Sequence, residues 1–307
     1  MIHDYYLSDI QLKSFEEWDK EKEGSFRKKS KKNKWREKDK KEKYKMWLEE
    51  VFEKPLAQRK KGIQKKLREE KDINDFCLKP ADLQILPTNS TLIKISFTLK
   101  KPYTSRDEGE FHIIEGKIFE NPIVRDKFTG LPMVRPSTWK GHLRFAARMV
   151  EWNKGDKEKI IRRLFGNESE DDNALKGRLY FFPTFFEEEA ERDVITPLKR
   201  DTRTPTKRGP IPLEVMKSSS EGEFYLLYIT YPKGKNFKEE QIEEDLRFLA
   251  EALKLMFYTY GFSAKKTSGF GVIEKLKNED VEILPEGKKD IFSILYTKIK
   301  NNGNQGA

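Results

Sequence analysis

The sequence predicts an α+β fold, on three observations. An alternating apolar–polar run opens at Thr91, two later segments carry apolar residues at helical spacing, and the elements succeed one another as strand, helix, strand, strand, helix, strand. The first strand is "TLIKISFTLKKP", in which Ile93, Ile95, Phe97 and Leu99 alternate with Lys94, Ser96 and Thr98. A long polar loop follows, from Tyr103 to Arg135. Ser137 and Thr138 are then expected to cap a helix reaching about Trp152, with Trp139, Leu143, Ala146, Ala147 and Val150 as its buried stripe. "GRLYFFPTFF" (177–186) and "GEFYLLYITYP" (222–232) read as strands. "KEEQIEEDLRFLAEALKLMFYTYG" reads as an amphipathic helix with Ile242, Leu246, Leu249, Leu253 and Phe257 on one face and Gly261 as its stop. "SGFGVIEKLK" (268–277) supplies the last strand. This order is the ferredoxin-like (RRM-like) βαββαβ pattern, an antiparallel sheet with two helices on one face and, here, long insertions. Such a fold leaves function open.

The chain divides by composition. Residues 1–90 read as a basic, mostly helical N-terminal extension, 91–280 as the folded domain with an insertion at about 193–214, and 281–307 as a C-terminal segment with a disordered tail. The net charge is +10, and "RKKSKKNKWREKDKKEKYK", Arg27 to Lys45, carries +9 of it, from twelve Lys or Arg against three Asp or Glu. Such a run is equally a solvated or disordered face. Trp18, Trp35, Tyr44, Trp47, Leu48, Val51 and Phe52 offer it anchors. The basic balance suits a polyanionic partner. One cysteine, Cys77, excludes a disulfide framework and a cysteine-rich zinc site, and His3, His112 and His142 are too few for a structural zinc. No signal peptide and no apolar run near the ~18 residues of a span is found, so a cytoplasmic protein without a membrane partner is expected.

The peculiar stretch is "IFENPIVRDKFTGLPMVRPSTWKGHLRFAAR", residues 118–148. Lys140, Arg144 and Arg148 fall at i, i+4 and i+8, a basic ridge beside the apolar stripe. Gly141 lets a ligand approach the first turn, and the free N–H groups of a helix start favour phosphate. Arg125, Lys127 and Arg135 add charge in the preceding loop. The other reading of the ridge is a surface helix with ordinary solvated side chains.

This stretch resembles the signature of the RAMP superfamily, the repeat-associated proteins of CRISPR effector complexes, and is most like the repeated backbone subunits of type III complexes. There an acidic-x-Pro loop leads through a Thr-Gly turn to a Ser-(Ser/Thr)-x-Lys-Gly-x-x-Arg helix start. "RRLFGNES" with "GRLYFFPTFF", "VITPLKRDTRTPTKRGPIPLEVM" and "YGFSAKKTSGFGVIE" are similar to three further family patches, in order, over about residues 91–276. The resemblance does not reach residues 1–90. It implies a subunit that stacks with other copies of itself in a filament along guide RNA, captures target RNA, and joins other CRISPR effector subunits. Phosphate binding falls by this resemblance on the helix start, with Arg135, Ser137, Lys140, Gly141, Arg144 and Arg148, and on a glycine-rich loop with Lys265, Lys266, Gly269 and Gly271. The insertion with Arg200, Arg203, Lys207 and Arg208 is the candidate thumb hairpin, or else a flexible basic loop.

Active relatives carry a catalytic aspartate where this chain has Glu120. Its extra methylene moves the carboxylate, and catalytic geometry tolerates little displacement. Asp107, Glu108, Glu110, Glu115 and Asp126 can help hold a divalent metal (Mg or Mn), needed only if the protein cleaves RNA, or are simply a polar loop; no other cofactor and no resident metal are expected. His112 and His142 are candidate general bases, or, for His142 inside the Lys-Gly-x-x-Arg signature, a contact or packing residue. The alternatives to a guide-RNA-binding subunit are an endoribonuclease for target or precursor RNA, and a basic scaffold that does not bind RNA.

Overall fold

The computed structural model describes residues 13–26, 37–55, 58–59, 62, 79–106, 112–114, 117–119, 121–126, 129–167, 175–199, 201–206, 209–231, 233 and 237–296. Its helices are α1 (Phe15–Phe26), α2 (Glu37–Leu48), α3 (Pro136–Met149), α4 (Lys157–Phe165) and α5 (Glu240–Leu255). Its strands are β1 (Thr91–Thr98), β2 (His112–Ile114), β3 (Lys117–Phe119), β4 (Met133–Val134), β5 (Leu179–Phe181), β6 (Thr184–Phe185), β7 (Glu191–Ile195), β8 (Ile211–Val215), β9 (Glu221–Tyr228) and β10 (Val281–Leu284). The chain is α+β, with antiparallel sheets, in two compact units. No helix among the described residues is long and apolar enough to cross a membrane.

One unit comprises 72–105, 131–192 and 214–307. Its sheet has the order β10-β1-β9-β5. β1 pairs with β9 from Thr91↔Tyr228 to Thr98↔Glu221 and, on its other side, with β10 from Leu92↔Leu284 to Ile95↔Val281. Period-2 alternation decides the two faces. Phe97 and Phe224 meet both Trp139 of α3 and Phe257, just beyond α5, with ring centroids 4.7–6.2 Å apart, so both helices cover one face. The opposite face carries Leu92, Tyr225 and Leu227, packed against Leu83 and Leu86 at the end of a short 3₁₀ helix, Pro80–Ile85. Each large apolar side chain buried in this way contributes about 1.5–3 kcal/mol.

Three expected elements differ. The last strand of the sheet is β10, not 268–277. The latter region makes only the isolated bridges Leu99↔Ile273 and Leu276↔Tyr296, because Gly269 and Gly271, at φ +76° and +77°, turn the backbone out of the extended range. The strand over 177–186 is broken at Pro183, which has no N–H for a ladder: β5 pairs with β9, whereas β6 pairs with β4. Ser137 and Thr138 do not cap α3. Arg135 is the N-cap and Pro136 the first helical residue, which leaves both hydroxyl residues inside the first turn. The sequence reading also missed α4, which Asp156 caps by accepting from the Lys159 N–H at 3.2 Å and Gly166 ends at φ +79°.

Under α4 and α5 lies a buried ion network. Asp245, with no exposed surface, accepts from Arg163 Nε at 2.9 Å, Arg178 Nη1 at 2.7 Å and the Tyr228 hydroxyl at 3.0 Å. Arg163 also reaches Glu244 at 2.6 Å.

The other unit comprises 1–71, 106–130 and 193–213. Within it α1 and α2 share an aromatic cluster in which Phe15 meets Trp18, Tyr44 and Trp47 at 5.7–6.0 Å. The Trp18 indole donates to Glu50 at 3.0 Å, the Trp47 indole to Lys13 O at 3.1 Å, and Lys43 pairs with Asp19 at 2.6 Å. Trp18, Leu48 and Val51 are buried. The expected Thr-Gly turn is present: Thr129 N–H donates to the Asp126 carboxylate at 2.7 Å and Gly130 N–H to Asp126 O at 2.8 Å. Asn121 Nδ2 donates to Pro212 O at 3.0 Å. β7 and β8 pair as a hairpin whose far end closes through Leu198↔Pro205 and Lys199 N–H to Thr204 O at 2.9 Å.

Candidate nucleic-acid interface

The start of α3 is fixed through its buried face. Trp139 is fully buried; its indole donates to Thr184 Oγ1 at 3.1 Å, and Thr184 in turn donates to Glu223 O at 2.6 Å, so the helix is pinned to the sheet. Above that anchor, Ser137, Lys140, Gly141 and Arg148 are exposed, and Arg135 and Arg144 are half-buried. The side chain of the N-cap residue, Arg135, makes no capping hydrogen bond to the first turn. The space a Gly141 Cβ would fill is empty to 4 Å. Nothing among the described residues therefore requires glycine there, although glycine in a helix costs about 1 kcal/mol relative to alanine. Arg144 Nε is shut off from solvent without a hydrogen-bond partner.

The glycine-rich loop is brought to this helix. Phe262 packs on Trp139 with ring centroids 4.3 Å apart. Lys266 Nζ lies 3.9 Å from the centre of the Phe145 ring, and Phe145 meets Tyr260 edge-on at 5.2 Å. Burial, with the Lys266 ammonium nearby, pulls the His142 imidazole down to about 4. His142 is therefore neutral at pH 7 and adds no charge to the ridge. The loop is held by Thr104, whose N–H donates to Ser263 Oγ at 2.9 Å and whose carbonyl accepts from Ser263 Oγ at 2.9 Å and Ala264 N–H at 3.0 Å.

The glycines of the loop turn their N–H groups to carbonyls of the chain itself. Gly269 N–H donates to Lys266 O at 2.8 Å and Gly271 N–H to Pro102 O at 2.9 Å. Gly271 is buried, and a Cβ there would stand 2.6 Å from Ser263 N. It shapes the loop. What the loop presents outward is Lys265, exposed, and Lys266, half-buried.

The structure thus joins α3, which carries Ser137, Lys140, Gly141, Arg144 and Arg148 and has Arg135 as its N-cap, to the loop of Lys265, Lys266 and Gly269 through the Trp139–Phe262 and Phe145–Lys266 contacts. Arg125 and Arg203 belong to the other unit, where Arg125 Nη1 donates to Ile123 O at 3.3 Å and Arg203 stands in the β7–β8 hairpin at φ +55°. Glu120 and Arg200 lie outside the described residues, as do Lys127, Lys207, Arg208, Trp35 and the tail after Tyr296. Among the described residues no group of three or more His, Cys, Asp or Glu side chains is placed to share a metal ion. The sequence reading missed Phe145 and Tyr260. The i, i+4 relation of Phe145 to Gly141 was visible, but its packing against a lysine near the other end of the chain was not.

A basic helix packed against a lysine-bearing loop on an α+β scaffold is what the structure offers, and comparison gives the class its name. The RAMP superfamily model matches residues 97–274, and the chain belongs to that superfamily. It is 30% identical over 187 residues, 54% of this chain and 83% of the relative, to the CRISPR system Cms endoribonuclease Csm3 of Streptococcus thermophilus. Its fold is similar to a chain in the cryo-EM structure of the Type III-B Cmr-beta bound to cognate target RNA, with a TM-score of 0.50 at 19% identity, covering 92% of this chain and 93% of that one.

Proposed function

We propose that this protein is a guide-RNA-binding backbone subunit of a type III CRISPR ribonucleoprotein, acting in the cytoplasm. The observation that carries the reading is the contact of Lys266 with Phe145 on the helix that carries Lys140, Gly141 and Arg144, in a RAMP superfamily chain. Ammonium and guanidinium groups there neutralise successive phosphates. The strand order β10-β1-β9-β5 with both helices on one face supports the ferredoxin-like reading of the domain. In the same proposal the basic helical N-terminal segment is an appendage. The hairpin at 193–214 is the thumb that meets guide and target RNA, and copies of the subunit stack as a filament with other effector subunits.

The test is the nucleic acid that purifies with the full chain from cells carrying a CRISPR array. A discrete RNA ladder with a uniform 5′ tag is expected; nucleic-acid-free protein overturns the reading in favour of a scaffold. A second result is expected at Gly141. Gly141→Ala should raise the melting temperature, by up to about 1 kcal/mol of stability, while weakening RNA binding, because the added methyl occupies the approach surface. A gain in stability with RNA affinity unchanged contradicts the assignment.

One observation favours a second reading, target-RNA cleavage: the Streptococcus relative is named an endoribonuclease. Glu120 stands at the family's aspartate position. On the binding reading, guide-loaded wild-type protein leaves matched target RNA intact in Mg²⁺ or Mn²⁺, and Glu120→Gln binds guide as the wild type does. Periodic cutting that Glu120→Gln abolishes would establish cleavage.

A further inference from the structure

Lys266 is held in an unusual way. No carboxylate pairs with it among the described residues, and its Nζ lies 3.9 Å from the Phe145 ring centre. The ring is itself fixed edge-on by Tyr260 at 87°. Phe145 lies one turn after Gly141 on the same side of α3, with its ring more than 4 Å from where a Gly141 Cβ would stand. The space above Gly141 is empty to 4 Å. The ammonium is thus brought to the rim of an open patch by a group that attracts a cation without cancelling its charge. A carboxylate in the same place would fix the lysine equally well and neutralise it.

We propose that Phe145 is a positioning residue of the RNA track: its ring face holds the Lys266 ammonium at the open turn of α3, ready for a phosphate. The proposal rests on the RNA-binding reading above. It makes Phe145 matter through Lys266 and not through burial, which separates it from a merely structural role.

The test measures binding of the full chain to a labelled single-stranded RNA for Phe145→Leu, Phe145→Tyr, Lys266→Gln and the double variant Phe145→Leu with Lys266→Gln, with melting temperatures in parallel. Phe145→Leu is expected to weaken binding about two- to fivefold, the range of a cation–π contact at an exposed site. Phe145→Tyr keeps the π face and should bind as the wild type does. The double variant should bind no more weakly than Lys266→Gln alone. Phe145→Met replaces Phe145→Leu if leucine lowers the melting temperature. Wild-type affinity in the leucine variant, an equal loss in the tyrosine variant, or full additivity in the double variant overturns the proposal while the RNA track stands. If Lys266→Gln itself binds like the wild type, the loop is not part of the track, and both readings of it fail together.

Discussion

Asp245→Ala lowers the stability of the protein by about 3–5 kcal/mol, the expected cost of leaving buried charge uncompensated. The carboxylate has no exposed surface, and Arg178, which it holds at 2.7 Å, is 1% exposed. Its removal leaves that guanidinium with neutral partners alone, Gln241 Oε1 at 3.3 Å and Lys233 O at 3.5 Å among them, leaves Arg163 with Glu244, and takes the acceptor from the Tyr228 hydroxyl, whose own titration burial pushes up. Arg178 Nε already lacks a partner, so the guanidinium is under-satisfied even with Asp245 present. Calorimetry should show a melting temperature lower by roughly 10 °C. Asp245→Leu combined with Arg178→Met removes both charges and should lose less than Asp245→Ala. A double variant that loses the sum of two single losses would show that packing, not charge pairing, carries the stability here.

The second large effect falls on binding. Lys140→Ala with Arg144→Ala should reduce affinity for single-stranded RNA by about a hundredfold at low salt, taking each charged interaction as about a factor of ten. The dependence of log K on log salt should flatten by about 0.7 for each phosphate no longer neutralised. Lys140 is exposed and Arg144 half-buried, so the melting temperature should change little. Unchanged affinity and slope would rule out this surface as the RNA track.

What could be read from the sequence followed the range of the forces involved. Local periodicity identified β1, β9, α3 and α5, because burial of one face repeats every 2 or 3.6 residues whatever the partner is. The edge strand escaped: the apolar alternation of Val281 and Ile283 spans only four residues, whereas "SGFGVIEKLK" looked strand-like until the positive φ angles of its glycines were known. Capping was misplaced because Pro136 takes the first helical position so readily that it moved the cap back to Arg135. At the candidate site the helix start was legible as a motif. The roles of Gly269 and Gly271 were not, since only the folded loop shows their N–H groups already donating to Lys266 O and Pro102 O. The pairing of Phe145 with Lys266 depends on tertiary packing, which spacing cannot encode.

If RNA lies along the start of α3 and the glycine-rich loop, photocrosslinking of bound RNA to the full chain, followed by mapping of the modified peptides, tests it most directly. Crosslinks are expected within 135–148 and 261–271. Crosslinks confined to the opposite sheet face, on peptides bearing Tyr180, Phe182 and Tyr225, with none on α3 or the loop, would contradict that path.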